Sequence, residues 1–310
     1  VGGGDVHEDY RSIIDQVQGA VIAVNHFARY QIAMDFLNAG IHVLCEKPIS
    51  EFPSQARQMV EAAEAHHVKL CVNNTRRMYP SFIEVRNLIR SGRIGHLKSI
   101  EYVEGNKFSW QSATGFYVDP KASSKWVLLD IGAHAIDTIC WWIGRRPELT
   151  RYEDDSFGGP ESVSRIIASW KGCNISVILN RLCDLDNTYR IIGEEGVIEG
   201  RINEYERFSI RIGDHEKLKN KALKSSKKYP NFLTPIFDNF IQILDGGITP
   251  LIPGSDVIDS LDLIQECYDK RRRTALSFYN DITIPGSVKT YNHMNREGKL
   301  LITGAAGFIG

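Results

Sequence analysis

The sequence lacks several features that would narrow its class at once. No apolar run approaches the roughly 18 residues that a membrane-spanning helix needs. No amino-terminal stretch reads as a signal peptide. Neither sign of charge dominates, with 37 Lys and Arg against 38 Asp and Glu. That balance gives no motive for nucleic acid or an anionic membrane as the main partner. Cysteine is sparse, with residues at 45, 71, 140, 173, 183 and 267. None forms a Cys-x-x-Cys pair or a Cys/His cluster of zinc-like spacing, so no metal is expected. Cys45 and Cys71 fall in apolar runs and read as buried reduced thiols, which points to a reducing cytoplasm. What remains is an ordinary globular composition, 43% hydrophobic and 24% charged over 310 residues. That length suggests about two domains.

The first half alternates short apolar runs with helical patterns. Strands are expected over 20–24, 41–45 and 68–72, with helices over 29–38 and 54–66 between them. Strand, helix, strand predicts right-handed crossovers and a parallel sheet covered on both faces. The second half changes period. Strand-like segments at 162–170, 174–181, 188–192 and 208–212 follow one another without helices, which predicts a largely antiparallel sheet. Two helices, over 235–244 and 256–272, should close the fold. The fold class is therefore α/β plus α+β, with the antiparallel sheet carrying helices on one face. Residues 1–95 would form an incomplete Rossmann-type domain and 96–285 a second domain, followed by a linker over 286–298. The Lys-rich stretch 217–228 reads as a solvated loop; a grip on a phosphorylated substrate is the other reading.

Both ends carry glycine-rich runs. A dinucleotide-binding unit opens with a strand, then Gly-x-Gly-x-x-Gly, then a helix. Gly2-Gly3-Gly4 has no strand before it and reads as a connecting loop. The first strand and phosphate-cradling turn are thus expected upstream, and a chain starting here should bind NAD weakly or not at all. At the other end a strand-like Lys299-Leu300-Leu301-Ile302 leads into Thr303-Gly304-Ala305-Ala306-Gly307-Phe308-Ile309-Gly310. That run resembles the opening of extended short-chain dehydrogenases and epimerases, so a second enzyme is expected to begin at 299; a glycine-rich tail is the alternative.

Two motifs carry chemistry. Glu46-Lys47-Pro48 ends a parallel strand, at the edge where open α/β sheets bind ligands. Pro48 restricts Lys47 to extended backbone, and the bond between them can be cis. Taken alone, a lysine after a strand is usually just solvated. The second motif is Asp130-Ile131-Gly132-Ala133-His134-Ala135-Ile136-Asp137. A helix over 131–143 would put Asp130, His134 and Asp137 on one face. In the bland reading Asp130 is an N-cap and Asp137 partners His134. Three ionisable groups on an otherwise apolar stripe are costly unless they are used.

The run His42 to Pro48 and the pattern Asp130-x-Gly132-x-His134-x-x-Asp137 together resemble the glucose-fructose oxidoreductase / inositol dehydrogenase / rhizopine-catabolism (Gfo/Idh/MocA) family. Asn25-His26, the Asn73 to Arg77 run, Ser91 to Gly95 and the closing segment 237–272 fit as well. The resemblance spans about residues 5–285. It implies NAD- or NADP-linked hydride transfer to or from a sugar, polyol or nucleotide-linked sugar. Lys47 would hydrogen-bond the reacting oxygen. His134 would serve as general base or acid, and Asp130 would orient the sugar and bias the protonation of His134. Cofactor contacts would fall on Asn25, His26, Glu46, Lys47 and Asn74, and substrate contacts on Lys47, Arg77, Trp126, Asp130 and His134. Where the family has glycines before the second motif, this sequence has Ser123 to Leu128, so Trp126 could stack on a sugar or simply pack. A homo-dimer or tetramer through the antiparallel sheet is the implied assembly. A non-catalytic sensor or scaffold on the same fold is the competing class, and a proton-transfer residue such as His134 argues against it.

Overall fold

A computed structural model describes residues 5–109, 125–156, 159–213, 216–223 and 231–274. Val1–Thr274 form one compact unit and Ala275–Gly310 another, and every described residue belongs to the first. The Gly2-Gly3-Gly4 loop, the 286–298 linker and the 299–310 glycine run lie outside the described residues.

Strand β1 (Gly19–Ile22), helix α1 (His26–Asn38), β2 (His42–Glu46), α2 (Pro53–Ala65) and β3 (Leu70–Asn73) alternate along the chain. β1 pairs with β2 and β2 with β3, all in parallel. Parallel neighbours need crossovers, and α1 and α2 supply them. Val43, Leu44 and Cys45 are fully buried, as expected of a strand covered on both faces. The strand expected over 20–24 stops at Ile22. Asn25 takes the N-cap position of α1 and its side chain accepts from the Ala28 N–H, so that helix starts at His26 rather than at 29.

Helix α3 (Pro80–Arg90), which the periodicity did not separate from its surroundings, leads to β4 (Leu97–Gly105). Helix α4 (Val127–Ile143) follows, then strands β5 (Glu148–Asp154), β6 (Val163–Trp170), β7 (Cys173–Asn180) and β8 (Thr188–Gly193). Strands β9 (Gly196–Arg201), β10 (Arg207–Ile212) and β11 (Lys219–Ala222) precede helices α5 (Thr234–Leu244) and α6 (Ile258–Asp269), and β12 (Arg272–Arg273) comes last. Among the described residues the second sheet has nine strands, in the order β11-β10-β9-β8-β4-β7-β6-β5-β12. β4 runs parallel to β7 and β5 parallel to β12; every other pairing is antiparallel. The architecture is thus the expected one, a parallel Rossmann-type sheet followed by a mostly antiparallel sheet with helices. Part of the Lys-rich stretch, expected as a loop, is the edge strand β11, and 224–230 lies outside the described residues. The last helix ends at Asp269 rather than 272, because Arg272 and Arg273 pair with Glu153 and Asp154.

α4 lies against the second sheet, and Gly132 permits the approach. A Cβ there would stand 2.9 Å from Leu128 Cδ1 and 3.1 Å from Leu179 Cδ1 of β7. Gly144 ends the helix at φ 81°, with its N–H on the Cys140 carbonyl. α5 packs on the parallel sheet through Ile236, Phe240 and Ile243. α6 serves both cores: Leu261 joins the core around β1–β3, whereas Leu263, Ile264 and Cys267 join the core under the large sheet. All six cysteines are free, and only Cys183 is exposed. No helix among the described residues is long and apolar enough to cross a membrane.

Candidate active site

Lys47 leaves the carboxyl end of β2 on a cis Lys47–Pro48 bond. The turn is pinned from α1: buried Arg29 donates to the carbonyl oxygens of Pro48 and Val24. From there the Lys47 ammonium donates to Asp130 Oδ1 at 2.9 Å and to the Asp130 carbonyl at 3.1 Å. Asp130 belongs to the first turn of α4. Its other oxygen, Oδ2, accepts from Arg181 at 2.9 Å, just beyond β7. The parallel sheet, the buried helix and the large sheet therefore converge on one carboxylate. Burial works to raise the Asp130 carboxyl, but Lys47 and Arg181 more than offset it and hold the group below its ordinary value.

α4 shows why these positions matter. Of its seventeen residues, only Asp130, His134 and Trp141 are partly rather than fully buried. Asp130 and His134 are one turn apart, so they share the helix edge that faces the end of β2 and β3. His134 Nδ1 lies 3.3 Å from Asn74 Oδ1. With that oxygen accepting, Nδ1 carries the hydrogen, and Nε2 keeps its lone pair with no partner among the described residues. Burial, and then the charges of Lys47, Arg76 and Arg181, push the imidazole well below 6.5. The ring is neutral at pH 7 and is poised to accept a proton.

The other expected residues divide. Asn74, Lys47, Asp130 and His134 come together. Asn25 stands exposed at the first turn of α1, and His26 beside it packs its ring 4.4 Å from that of Phe27. Burial, with Arg29, holds His26 at about 4. The Glu46 carboxylate is engaged, accepting from the Asn73 side-chain amide and from the Lys47 N–H. Two parts of the non-functional reading and one expected substrate contact need correction. Asp130 is not the N-cap, because apolar Val127, Leu128 and Leu129 extend the helix inward and Trp126 takes the cap position. Asp137 does not partner His134; it holds Arg77 at 2.6 and 2.9 Å. Arg77, expected at the substrate, is only 3% exposed and also donates to Asp256. Trp126 is 7% exposed, with its ring 5.3 Å from and edge-on to that of Phe108, so packing accounts for it. Sequence reasoning missed Arg181 and Arg29. The one signal for Arg181 was a basic residue closing an apolar strand.

The carboxyl edge of the parallel sheet thus offers the Asn25 amide, Lys47 and the Asn74 amide beside exposed Val24 and Phe27. Such a mix suits the amide, sugar hydroxyls and flat ring of a nicotinamide nucleotide. Among the described residues no group of His, Cys, Asp or Glu could hold a metal ion.

Family comparison agrees with this fold. The oxidoreductase-family NAD-binding Rossmann fold of Gfo/Idh/MocA matches residues 3–74, and the family's C-terminal domain matches residues 82–199. The chain belongs to the Gfo/Idh/MocA oxidoreductase family. Within the family it is 28% identical over 135 residues to the rhizopine catabolism protein MocA of Rhizobium meliloti, covering 43% of this chain and 40% of that protein. It is 26% identical over 212 residues to inositol 2-dehydrogenase 2 of Saccharopolyspora erythraea, covering 63% and 58%. The match thus spans less than two thirds of either curated relative. An inositol dehydrogenase homolog from Azotobacter vinelandii, solved with NAD+, shares the fold with a TM-score of 0.73 at 17% identity, over 85% of this chain and 80% of that one.

Proposed function

We propose that the intact gene product is an NAD- or NADP-dependent oxidoreductase moving hydride to or from a CH–OH or ketone carbon of a sugar, polyol or nucleotide-linked sugar. The supporting observation is the meeting of Lys47, from the end of a parallel strand, with Asp130 and neutral His134 on one edge of a buried helix. Asn25 and Asn74, at the carboxyl edge of β1–β3, would hold a nicotinamide nucleotide, which would supply the hydride acceptor or donor. Lys47 donates a hydrogen bond to the reacting oxygen, and Asp130 and Arg181 fix where its ammonium sits. In oxidation His134 Nε2 takes the hydroxyl proton as hydride leaves the carbon; in reduction it returns that proton to the oxygen. Asn74 holds the ring in the tautomer that leaves Nε2 basic. Lys47 and Arg181 against the single carboxylate of Asp130 leave a net positive charge that favours the developing alkoxide.

Polyol and sugar names among the relatives support the substrate class. The 303–310 glycine run supports a bifunctional sugar-nucleotide enzyme with an epimerase-type unit beginning near Lys299. The open face of the large sheet is our choice for a homo-dimer or tetramer contact, and six free cysteines suit a reducing compartment such as the cytoplasm. The test is turnover of NADH or NADPH by the intact gene product on a panel of keto-sugars, free and nucleotide-linked, and of NAD+ on the matching alcohols. Lys47→Ala and His134→Ala should each lower kcat by about 100-fold or more. Turnover within threefold of the native enzyme in both variants would remove the catalytic assignment. Tight cofactor binding without turnover on any substrate would favour a sensor.

A further inference from the structure

We infer that Glu161 is a positioning residue of the active site, holding the amino-terminal end of α4 from a distant segment and thereby setting Asp130 against Lys47. The first N–H groups of a helix have no partners within it, and a buried helix start needs acceptors from elsewhere. α4 has none of its own, for Trp126 at the cap position makes no side-chain cap bond. The acceptor is Glu161, 33 and 35 residues downstream and fully buried. Its Oε1 accepts from the Leu128 N–H at 2.9 Å and the Trp126 N–H at 3.1 Å, and its main-chain carbonyl accepts from the Val127 N–H at 3.3 Å. A carboxylate at this end is also favoured by the helix dipole.

Glu161 is itself held. The Tyr268 hydroxyl at the end of α6 donates to Oε1 at 2.8 Å, and Arg271 stands 3.4 Å from Oε2. Arg271 is anchored in turn on Asp154 of β5 at 2.6 Å. Beside this clamp, Lys125 spans from Glu51 (3.6 Å), in the segment that follows the Lys47 turn, to the faces of Phe52 and Tyr268. Asp130 lies two residues after Leu128, so a slip of the helix start moves it relative to the backbone of the Lys47 turn, which Arg29 pins independently. The clamp is thus placed to determine the depth of the Asp130 carboxylate rather than merely to end a helix.

The inference rests on the proposed function for its catalytic meaning, but its test does not. The intact gene product is pulsed with acetic anhydride, and mass spectrometry reads acetylation of Lys47 relative to Lys98, an exposed lysine of β4. Glu161→Gln keeps the shape, weakens the charge-assisted bonds and sets an amide against Arg271. It should raise the Lys47/Lys98 ratio by about threefold or more, with Tyr268→Phe giving about twofold. A cap with no bearing on the site would lower Tm and leave that ratio unchanged. A ratio unchanged from native in both variants, with circular dichroism intact, overturns the proposal. Should Glu161→Gln fail to fold, Tyr268→Phe alone decides it in the same way. Full turnover by Lys47→Ala would defeat the functional reading and still leave the ratio to judge Glu161.

Discussion

α4 carries two aspartates seven residues apart, and they have opposite fates. Asp130 meets Lys47 and Arg181 with 19% of its side chain still exposed. Asp137 meets Arg77 in a two-pronged pair whose side chains are 1% and 4% exposed. Residue type, helix and class of partner are the same. The difference lies in what surrounds them. Asp137 faces the junction of the cores, with Arg77 reaching it from the short turn after β3 and also touching Asp256 near the start of α6. Asp130 faces the carboxyl edge of the parallel sheet, where a ligand can arrive. A sealed ion pair is a fixed joint, because removing one partner strands the other's charge in a poor solvent. A pair at an open edge can exchange a partner for a substrate oxygen at small cost. Motif spacing puts both aspartates on one helix face, and burial separates them.

The comparison breaks most visibly at the sealed pair. Asp137→Ala or Arg77→Ala should cost about 3–5 kcal/mol of unfolding free energy, read from urea denaturation. Asp130→Asn should cost less, about 1–2 kcal/mol, since the Lys47 and Asp130 side chains are 17% and 19% exposed and the amide oxygen still accepts. Its kcat should nevertheless fall by about 10- to 100-fold, because Lys47 loses the carboxylate that places it. Equal stability losses at the two positions would refute the division.

Much of this was legible in the sequence, for identifiable reasons. Lys47 announced itself because strand, turn and proline are adjacent, and local order is what periodicity reads. The Asp130–His134 edge followed from helical spacing. The partners were another matter. Arg181 reaches Asp130 across 51 residues, Asn74 reaches His134 across 60, and Glu161 reaches the start of α4 across more than 30. Nothing in spacing selects one arginine or asparagine among many at such separations. The start of α4 is hidden for the same reason: its first N–H groups find their acceptor in Glu161, on a remote loop, rather than in a neighbouring residue. Arg77 was drawn toward the substrate by its neighbours in the motif, and only its burial shows it to be a joint.

The two histidines at the open edge offer a pH test of the same contrast. His26 is held at about 4, and His134 is pushed well below 6.5, each first of all by burial. For both, the folded state prefers the neutral ring, so the unfolded chain takes up protons first as the pH drops. The stability they contribute is therefore present above pH 6.5 and is lost as the pH falls from 6.5 toward 4. Urea midpoints measured across that range should slope downward toward acid. His26→Gln should remove about one proton from the uptake on unfolding. The oxidation rate should stay flat through pH 6.5, since His134 keeps its lone pair there. A limb descending at 6.5 would mean a solvated ring in the working enzyme.

The finest discrimination comes from Asp256, which shares Arg77 with Asp137 but is 47% exposed. Its Oδ2 accepts from Arg77 Nη1 at 3.1 Å, and its main-chain carbonyl accepts from Nη2 at the same distance. Asp256→Asn keeps the second contact and trims only the first. If burial rather than partner identity governs these pairs, that change should cost under about 1 kcal/mol, against several for Asp137 on the same guanidinium. The two variants unfolded side by side in urea give the answer. A cost at Asp256 matching that at Asp137 would mean that the charge count on Arg77, not the seal around it, holds the joint, and the contrast between the two ends of α4 would need a different cause.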